Sequence, residues 1–267
     1  VSPAKRSAGS HEHGGALWDA HADWWQASFT NGADIEYEEE VLPFLANECK
    51  GARQILDLGC GEGQVARRLA QLRGARVVGI DPSAGQLGHA IPHARKVRYV
   101  QGTGECLPFV DGSFDAVVCC LVIEHTADPD VVLEEVARVL APGGRFLLLI
   151  NHPMYQGPNS GMIDDQILGE RYWRVGPYLA ESTTIEHVDA EVEIPFSHRP
   201  LSRYINPLVA FDLLLTKLWE PAPLPAFLED SIDPDLEGAI PRLLAMRFEH
   251  RPRPEQAGAS GKKRMGQ

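Results

Sequence analysis

Residues 55–63 read Ile55-Leu56-Asp57-Leu58-Gly59-Cys60-Gly61-Glu62-Gly63, an apolar run that passes without a break into a glycine-rich turn. The run has the composition of a buried strand. Glycines at alternate positions let a ligand approach the backbone, and the helix that the following residues open offers free amides to an anionic group. Val65, Leu69 and Leu72 recur at i, i+4 and i+7, and Gly74 stands where a helix C-cap falls. A second strand, Arg76 to Ile80, leads into Asp81 within Val78-Gly79-Ile80-Asp81-Pro82-Ser83. An acidic residue at that distance from a glycine turn accepts both hydroxyls of a ribose. The stretch predicts a strand, turn, helix and second strand that together hold a nucleoside.

The turn narrows the choice of nucleoside. A dinucleotide-binding turn reads GxGxxG, whereas here the spacing is Gly59-x-Gly61-x-Gly63 and Gln64 occupies the final glycine position. Asp57, just before the turn, repels a pyrophosphate but suits the α-ammonium of an amino-acid moiety. A ligand that joins a nucleoside to an amino acid, as S-adenosylmethionine does, fits both features. They weigh against a nucleotide-dependent oxidoreductase on a similar sheet.

Outward from this unit, Gln54 to Ile150 alternates short β-branched runs with helical-period segments, the pattern of repeated βαβ units and a mostly parallel sheet. The further runs are Val97 to Gln101, Ala116 to Cys120 and Arg145 to Ile150. Asp128 caps and Pro129 opens a helix on which Leu133, Val136 and Leu140 share a face, and Pro142, Gly143 and Gly144 end it. The core thus spans 51–151. Before it, 17–50 mixes Trp18, Trp24, Trp25, Phe29 and Tyr37 with acidic residues and reads as amphipathic helices, either simple packing or a cover over a pocket. After it, 152–200 loses clear periodicity and holds Tyr155, Tyr172, Trp173, Tyr178, His187 and His198. A stretch so long and aromatic reads as a functional insertion. In 201–250, Leu201 to Phe211 reads as a helix, and Leu213 to Trp219 and Leu243 to His250 as strands. The ends, 1–16 and 251–267, read as a disordered leader and tail, with His11 and His13 part of the leader rather than a metal site.

Composition limits the function. The chain has 267 residues, 44% hydrophobic and 23% charged, with a formal charge of −12. No apolar run approaches the roughly 18 residues of a membrane span. No broad cationic surface is available to neutralise a phosphate backbone, so nucleic acid is not expected as a partner. Five cysteines, Cys49, Cys60, Cys106, Cys119 and Cys120, form no CxxC pair, and the N-terminal residues lack an apolar signal-peptide segment. A reduced, cytoplasmic protein without a bound metal is expected.

The glycine turn and Asp81 resemble motifs I and II of the class I S-adenosylmethionine-dependent methyltransferases, in particular the bacterial small-molecule branch similar to the ubiquinone and menaquinone biosynthesis enzymes. The resemblance continues in order through Gly102-Thr103-Gly104-Glu105-Cys106-Leu107-Pro108-Phe109, Ser113-Phe114-Asp115-Ala116-Val117-Val118, Ile123-Glu124-His125 and Arg138-Val139-Leu140-Ala141-Pro142-Gly143-Gly144. It implies an α/β fold: a doubly wound, Rossmann-like, seven-stranded mixed sheet with an N-terminal helical cover and an insertion after strand five. It implies S-adenosyl-L-methionine as cofactor, with Asp57, Gly59, Cys60 and Gly61 around the methionine part. Asp81 would hold the ribose, while Pro82 and Ser83 shape the adenosine wall. Gly104 would meet the adenine, and the carbonyl near Cys120 and Leu121 the methionine ammonium. Thr103 departs from the aspartate often found at its position, which leaves the adenine amino group to Glu105 or water.

Methyl transfer at a sulfonium-activated carbon asks the protein for alignment, exclusion of water and, for a hydroxyl acceptor, removal of a proton. His125, His152 and His198 are the candidate bases, His125 with the alternative, shared by Glu124, of locking the loop after strand four. Trp25, Tyr155, Tyr172, Trp173 and Tyr178 are the candidate acceptor wall, suited to a planar or apolar small molecule. Cys120-Leu121-Val122-Ile123 stands where DNA-amine methyltransferases carry a DPPY-type motif, which again disfavours DNA. The expected acceptor is a small molecule, such as a hydroxyl of a natural product, quinone or lipid-like compound. The alternatives are a catalytically silent S-adenosylmethionine-binding regulator and a protein or RNA methyltransferase.

Overall fold

The structure is a computed structural model that describes residues 18–29, 34–189 and 192–251. The expected leader, with His11 and His13, and all of the expected tail but Arg251 lie outside the described residues.

The strand before the glycine turn is β1 (Gln54–Leu58), and the turn opens α3 (Gln64–Leu69). Then follow β2 (Arg76–Asp81), α4 (Ala84–Ala90), β3 (Val97–Gln101), β4 (Phe114–Cys120), α5 (Pro129–Val139) and β5 (Leu140–Asn151). The chain ends in α6 (Ser202–Ala210), β10 (Leu213–Trp219), the short α7 (Pro234–Glu237) and β11 (Leu243–His250). These strands form one seven-stranded sheet in the order β10-β11-β5-β4-β1-β2-β3. Strands β1 to β5 pair in parallel, and β11 pairs antiparallel with both β5 and β10. The fold class is therefore the one the sequence implied.

Each central strand buries both faces, as a parallel sheet covered on both sides requires. Leu56, Val117 and Leu148 face a cluster with Leu133, Val136 and Tyr204, while Ile55, Val118 and Leu147 face one with Leu45, Val65 and Leu69. The period of two along a strand produces this division. Leu140 differs from expectation: α5 stops at Val139 and Leu140 already belongs to β5. Partner register on β4 jumps from Phe114–Leu140 to Ala116–Arg145, so Pro142 to Gly144 bulge out within the strand.

The insertion after β5 is two antiparallel hairpins, β6 (Gly161–Asp165) with β7 (Glu170–Arg174) and β8 (Ser182–Asp189) with β9 (Val192–His198). Strand β7 is almost wholly exposed, so no buried face writes an alternating pattern into its sequence. The cover comprises α1 (Ala22–Phe29) and α2 (Leu42–Glu48), the latter preceded by a wide turn of helix at Tyr37–Val41. Asp19 fastens it to α4: its Oδ1 accepts from Ser83 Oγ at 2.6 Å and from the Gly85 amide at 2.8 Å. No helix among the described residues is long and apolar enough to cross a membrane.

Because the chain moves from β1 outward to β3 and then returns to β4 on the other side, the crevice at the C-terminal ends of β1 and β4 is the switch point of the sheet. Open α/β sheets bind ligands there.

Candidate functional site

The glycine turn is tied down at its start, where the Gly59 and Cys60 amides both donate to the Ile80 carbonyl, at 2.8 and 3.0 Å. Gly59 has a φ of +71°, and a Cβ built on it runs into the Val122 side chain. Gly63 has a φ of +87° and leaves its Cβ space to the Tyr99 ring. Both positions need left-handed backbone and a close approach, which glycine alone supplies at no steric cost.

Asp81 is buried at the end of β2, where its Oδ1 accepts from the Ser83 amide at 2.9 Å and its Oδ2 from the Gly61 amide at 2.8 Å. Burial pushes its carboxyl up to about 6, against the pull of those two amides, and Asp19 adds to the rise. Asp57 is 1% exposed. Burial pushes it to about 7, with the negative Asp81 and Glu62 acting in the same direction. Among the described residues, Asp57 Oδ2, Glu62 Oε1 and Gln86 Oε1 are buried without a hydrogen-bond partner. Glu62 spends its other oxygen on Arg67 at 2.6 Å. A buried polar atom left unpaired costs about 1–3 kcal/mol, so three on one wall mark a place that a polar ligand completes.

The three residues line a cavity of about 400 Å³ at the switch point. Every residue expected at the cofactor contributes to its wall except Ser83. Ser83 lies beneath the wall, where its hydroxyl accepts from the Gln86 amide at 3.0 Å and caps α4. On the far side stand Trp18 and Trp25 from the cover, Val122 and His125 after β4, and Thr183 and Ser197 from the second hairpin. The Thr183 and Ser197 hydroxyls pair at 2.9 Å.

Only Trp25 of the five aromatic residues expected to form an acceptor wall lines this cavity. Tyr155 stacks on Trp173 with ring centroids 4.8 Å apart, and the pair packs on Arg242, whose Nη1 donates to the Tyr155 hydroxyl at 3.2 Å. The same guanidinium lies over Phe227, its Cζ 4.1 Å from the ring centroid, and its Nε reaches Glu36 at 3.4 Å. These aromatics anchor the segment that carries Tyr37 to the cavity instead of forming the wall. Tyr172 is 42% exposed on β7. Tyr178 accepts from His198 Nε2 through its carbonyl and from the Leu201 amide through its hydroxyl, at 2.8 and 3.2 Å.

The three histidines separate in the same way. His152 is buried away from the cavity and uses both ring nitrogens: Nε2 meets Glu220 Oε1 at 3.0 Å and Nδ1 accepts from the Met154 amide at 3.1 Å. His198 is 3% exposed and held to Tyr178. His125 lines the cavity. Its Nδ1 lies 2.9 Å from the Pro195 carbonyl, which only accepts, so the proton sits on Nδ1 and Nε2 keeps its lone pair. The ring meets Trp18 edge-on at 5.3 Å. Burial lowers its pKa from the usual imidazole range, and the Arg199 charge adds to the effect.

Sequence reading did not assign Trp18, Tyr37, Gln86, Thr183 or Ser197 to the site. Tyr37 reaches it by a wide helical turn, where Cys120 Sγ–H points at its hydroxyl from 4.0 Å. The hydroxyl-rich run Ser182-Thr183-Thr184 was the one local signal that the second hairpin faces a polar space.

Comparison with known proteins adds four findings. Residues 56–148 match the family model described as a methyltransferase domain. An uncharacterized methyltransferase of Mycobacterium sp. (strain JLS) is 34% identical over 71% of this chain and 62% of its own length. A ubiquinone biosynthesis O-methyltransferase of Alkalilimnicola ehrlichii is 36% identical over 61% of this chain and 66% of its own length. The chain thus spans somewhat less than two thirds of these relatives. Among solved structures, an S-adenosylmethionine-dependent methyltransferase from Mesorhizobium loti superposes with a TM-score of 0.66 and 26% identity, covering 81% of this chain and 98% of that one.

Proposed function

We propose that the protein, whose residues 56–148 match a methyltransferase-domain family, transfers a methyl group from S-adenosylmethionine to a neutral small-molecule acceptor. The observation that carries the proposal is the buried wall of Asp57, Glu62 and Gln86, each with an unpaired oxygen beside the glycine turn.

Those residues suit the cofactor's polar parts. Asp57 Oδ2 accepts from an α-ammonium, and the cation in turn draws the raised carboxyl into its charged form. Asp81 spends one lone pair of each oxygen on an amide and keeps the other for ribose hydroxyls. Thr103 to Glu105 wall the adenine side. Leu121, at a φ of +55°, turns the backbone off the β4 ladder, which frees the carbonyls there for the ammonium. The bound cofactor supplies a methyl group on a positively charged sulfur.

The acceptor side is built for a different ligand. Trp18, Trp25, Pro195, Val122 and the Thr183–Ser197 hydroxyl pair bring no charge, and no lysine or arginine lines the cavity among the described residues. A planar or apolar molecule with a hydroxyl suits it. His125, neutral and with Nε2 free, takes the hydroxyl proton. His152 and His198 hold structure instead. In this reading the cover (17–50) and the insertion (152–200) select the acceptor.

Calorimetry with S-adenosylmethionine, S-adenosylhomocysteine and NAD on the wild type and Asp81→Ala tests it. The expected result is that both adenosyl ligands bind the wild type and bind the variant at least about tenfold more weakly, a loss of roughly 1.4 kcal/mol. Binding of NAD alone overturns the proposal. Binding of the adenosyl ligands with no turnover across a panel of phenols, catechols and lipid alcohols leaves a cofactor-binding regulator in its place.

A further inference from the structure

Arg199 follows β9 and is 6% exposed, yet among the described residues it forms no ion pair. Its guanidinium is held by carbonyls. Nη1 donates to Ile123 O at 3.1 Å and Nη2 to Thr126 O at 2.7 Å. Those two carbonyls bracket Glu124 and His125. The His125 Nδ1–H bond to Pro195 O adds a third tie from the same strand end, so residues 195–199 grip the turn on both sides of the imidazole.

Burying a guanidinium on carbonyls, with no ion pair among the described residues and the nearby Glu124 carboxyl raised by its own burial, is costly, and an apolar side chain of that size would pack the turn with no such cost. What an apolar side chain lacks is a planar fork that fixes two carbonyls at once, and a charge. We propose that Arg199 is the positioning residue of the transfer site, fixing the Ile123–Thr126 turn so that His125 Nε2 faces the cavity while the guanidinium stands against the ring. The inference rests on the reading of His125 as the acceptor-side base.

The other groups around the ring do not supply this charge. Trp18 comes from the cover, and Pro195 and Phe196 from β9. Glu124, the neighbour on the turn, accepts on Oε1 from the Asn151 amide at 2.8 Å, and burial pushes its carboxyl up to about 7. It is therefore only partly charged near neutral pH. Cys119 of β4 and Tyr204 of α6, which border Glu124 and Arg199, are held neutral by burial. Arg199 thus favours the neutral, proton-accepting imidazole, and the turn geometry decides which nitrogen is free.

The test needs no acceptor. Histidine labelled with ¹³C at Cε1 is followed by NMR against pH in the full chain, with His125→Gln to assign the resonance. In the wild type, His125 is expected to titrate below the exposed histidines. Arg199→Gln is expected to raise that midpoint by about half a pH unit or more, since removing a nearby like charge favours the imidazolium. Arg199→Lys keeps the charge but not the fork, so the midpoint stays low while the His125 shift moves. The His152 resonance, unchanged in each variant, reports an intact fold. A His125 resonance with wild-type shift and midpoint in Arg199→Gln overturns the assignment. If that variant does not fold, an unmoved His125 shift in Arg199→Lys overturns it equally. S-adenosylhomocysteine calorimetry separates the two readings: failure of the wild type to bind removes the cofactor proposal alone, whereas the histidine titration removes the Arg199 role alone.

Discussion

The two sides of the cavity are built on opposite plans. The side at β1 and β2 is contiguous in sequence, made of backbone and acids, and incomplete: Asp57, Glu62 and Gln86 each hold an oxygen that nothing satisfies among the described residues. The side facing it is assembled from the cover, the turn after β4 and a hairpin, and its hydroxyls are paired, Thr183 with Ser197, while His125 ties Nδ1 to Pro195 and leaves Nε2 open. A binding wall that meets the same ligand part in every cycle gains from preorganised, unpaired groups. A wall of apolar surface and paired hydroxyls discriminates by shape.

The comparison is sharpest at Gly59. A side chain there meets Val122 from the opposite wall and must adopt a φ of +71°. Gly59→Val is expected to weaken S-adenosylhomocysteine by at least about 100-fold, roughly 2.7 kcal/mol, in a calorimetric titration. Near-normal affinity would mean that the turn tolerates displacement and the two walls are not in register.

Next in size is a difference between histidines. His125→Gln is expected to leave S-adenosylhomocysteine affinity within about twofold and, once an acceptor is in hand, to cut turnover by roughly 10²-fold or more. His152→Ala strips a buried residue of two hydrogen bonds. It is expected to lower the melting temperature by several degrees, about 1–3 kcal/mol, at unchanged turnover per folded molecule. The reverse pattern would move the chemistry out of the cavity.

The incomplete wall also has a pH signature. Asp57 is raised to about 7 from an ordinary 3.8, so the folded chain holds a proton that the unfolded chain has released. Stability from this source is whole below 3.8 and is lost as pH rises through 7. Glu124 is raised to about 7 by burial and acts in the same window, while Asp81, near 6, acts below it. The melting temperature of the free protein is expected to fall between pH 6 and 7.5 by about 5–10 °C, the equivalent of roughly 2.5 kcal/mol for the two groups near 7 at this chain length. Asp57→Asn should remove about half of that fall. A flat profile in the wild type would show that Asp57 is satisfied without a ligand.

How far each side was legible follows from how it is built. The turn, Asp57 and Asp81 lie within residues 55–81, where strand period, glycine spacing and two acids state the ligand's chemistry locally. The parallel βαβ core was legible for the same reason: β-branched runs and helical faces repeat at short range. The facing side has no such local text. Trp18 and His125 meet across more than a hundred positions of chain, and Thr183 and Ser197 meet only because β8 folds back on β9. Tyr155, Trp173 and Tyr178 have the composition of a binding wall, but composition does not say which way a ring faces. In the structure those rings turn toward Arg242 and His198.

That relocation carries the smallest prediction. If Tyr155 serves the cavity only through Arg242, Glu36 and the segment that bears Tyr37, its hydroxyl matters for one hydrogen bond and its ring for a stack. Tyr155→Phe keeps the stack on Trp173 and the cation–π contact with Arg242, and so is expected to cost about 1 kcal/mol or less, a few degrees at most. Its S-adenosylhomocysteine affinity should be that of the wild type. Tyr155→Ala removes the stack as well and should cost about 3 kcal/mol, with the loss again in the melting temperature. A variant of Tyr155 that instead altered acceptor preference at unchanged stability would place this aromatic cluster on the acceptor's path, and the paired wall would then extend beyond the cavity to the first hairpin.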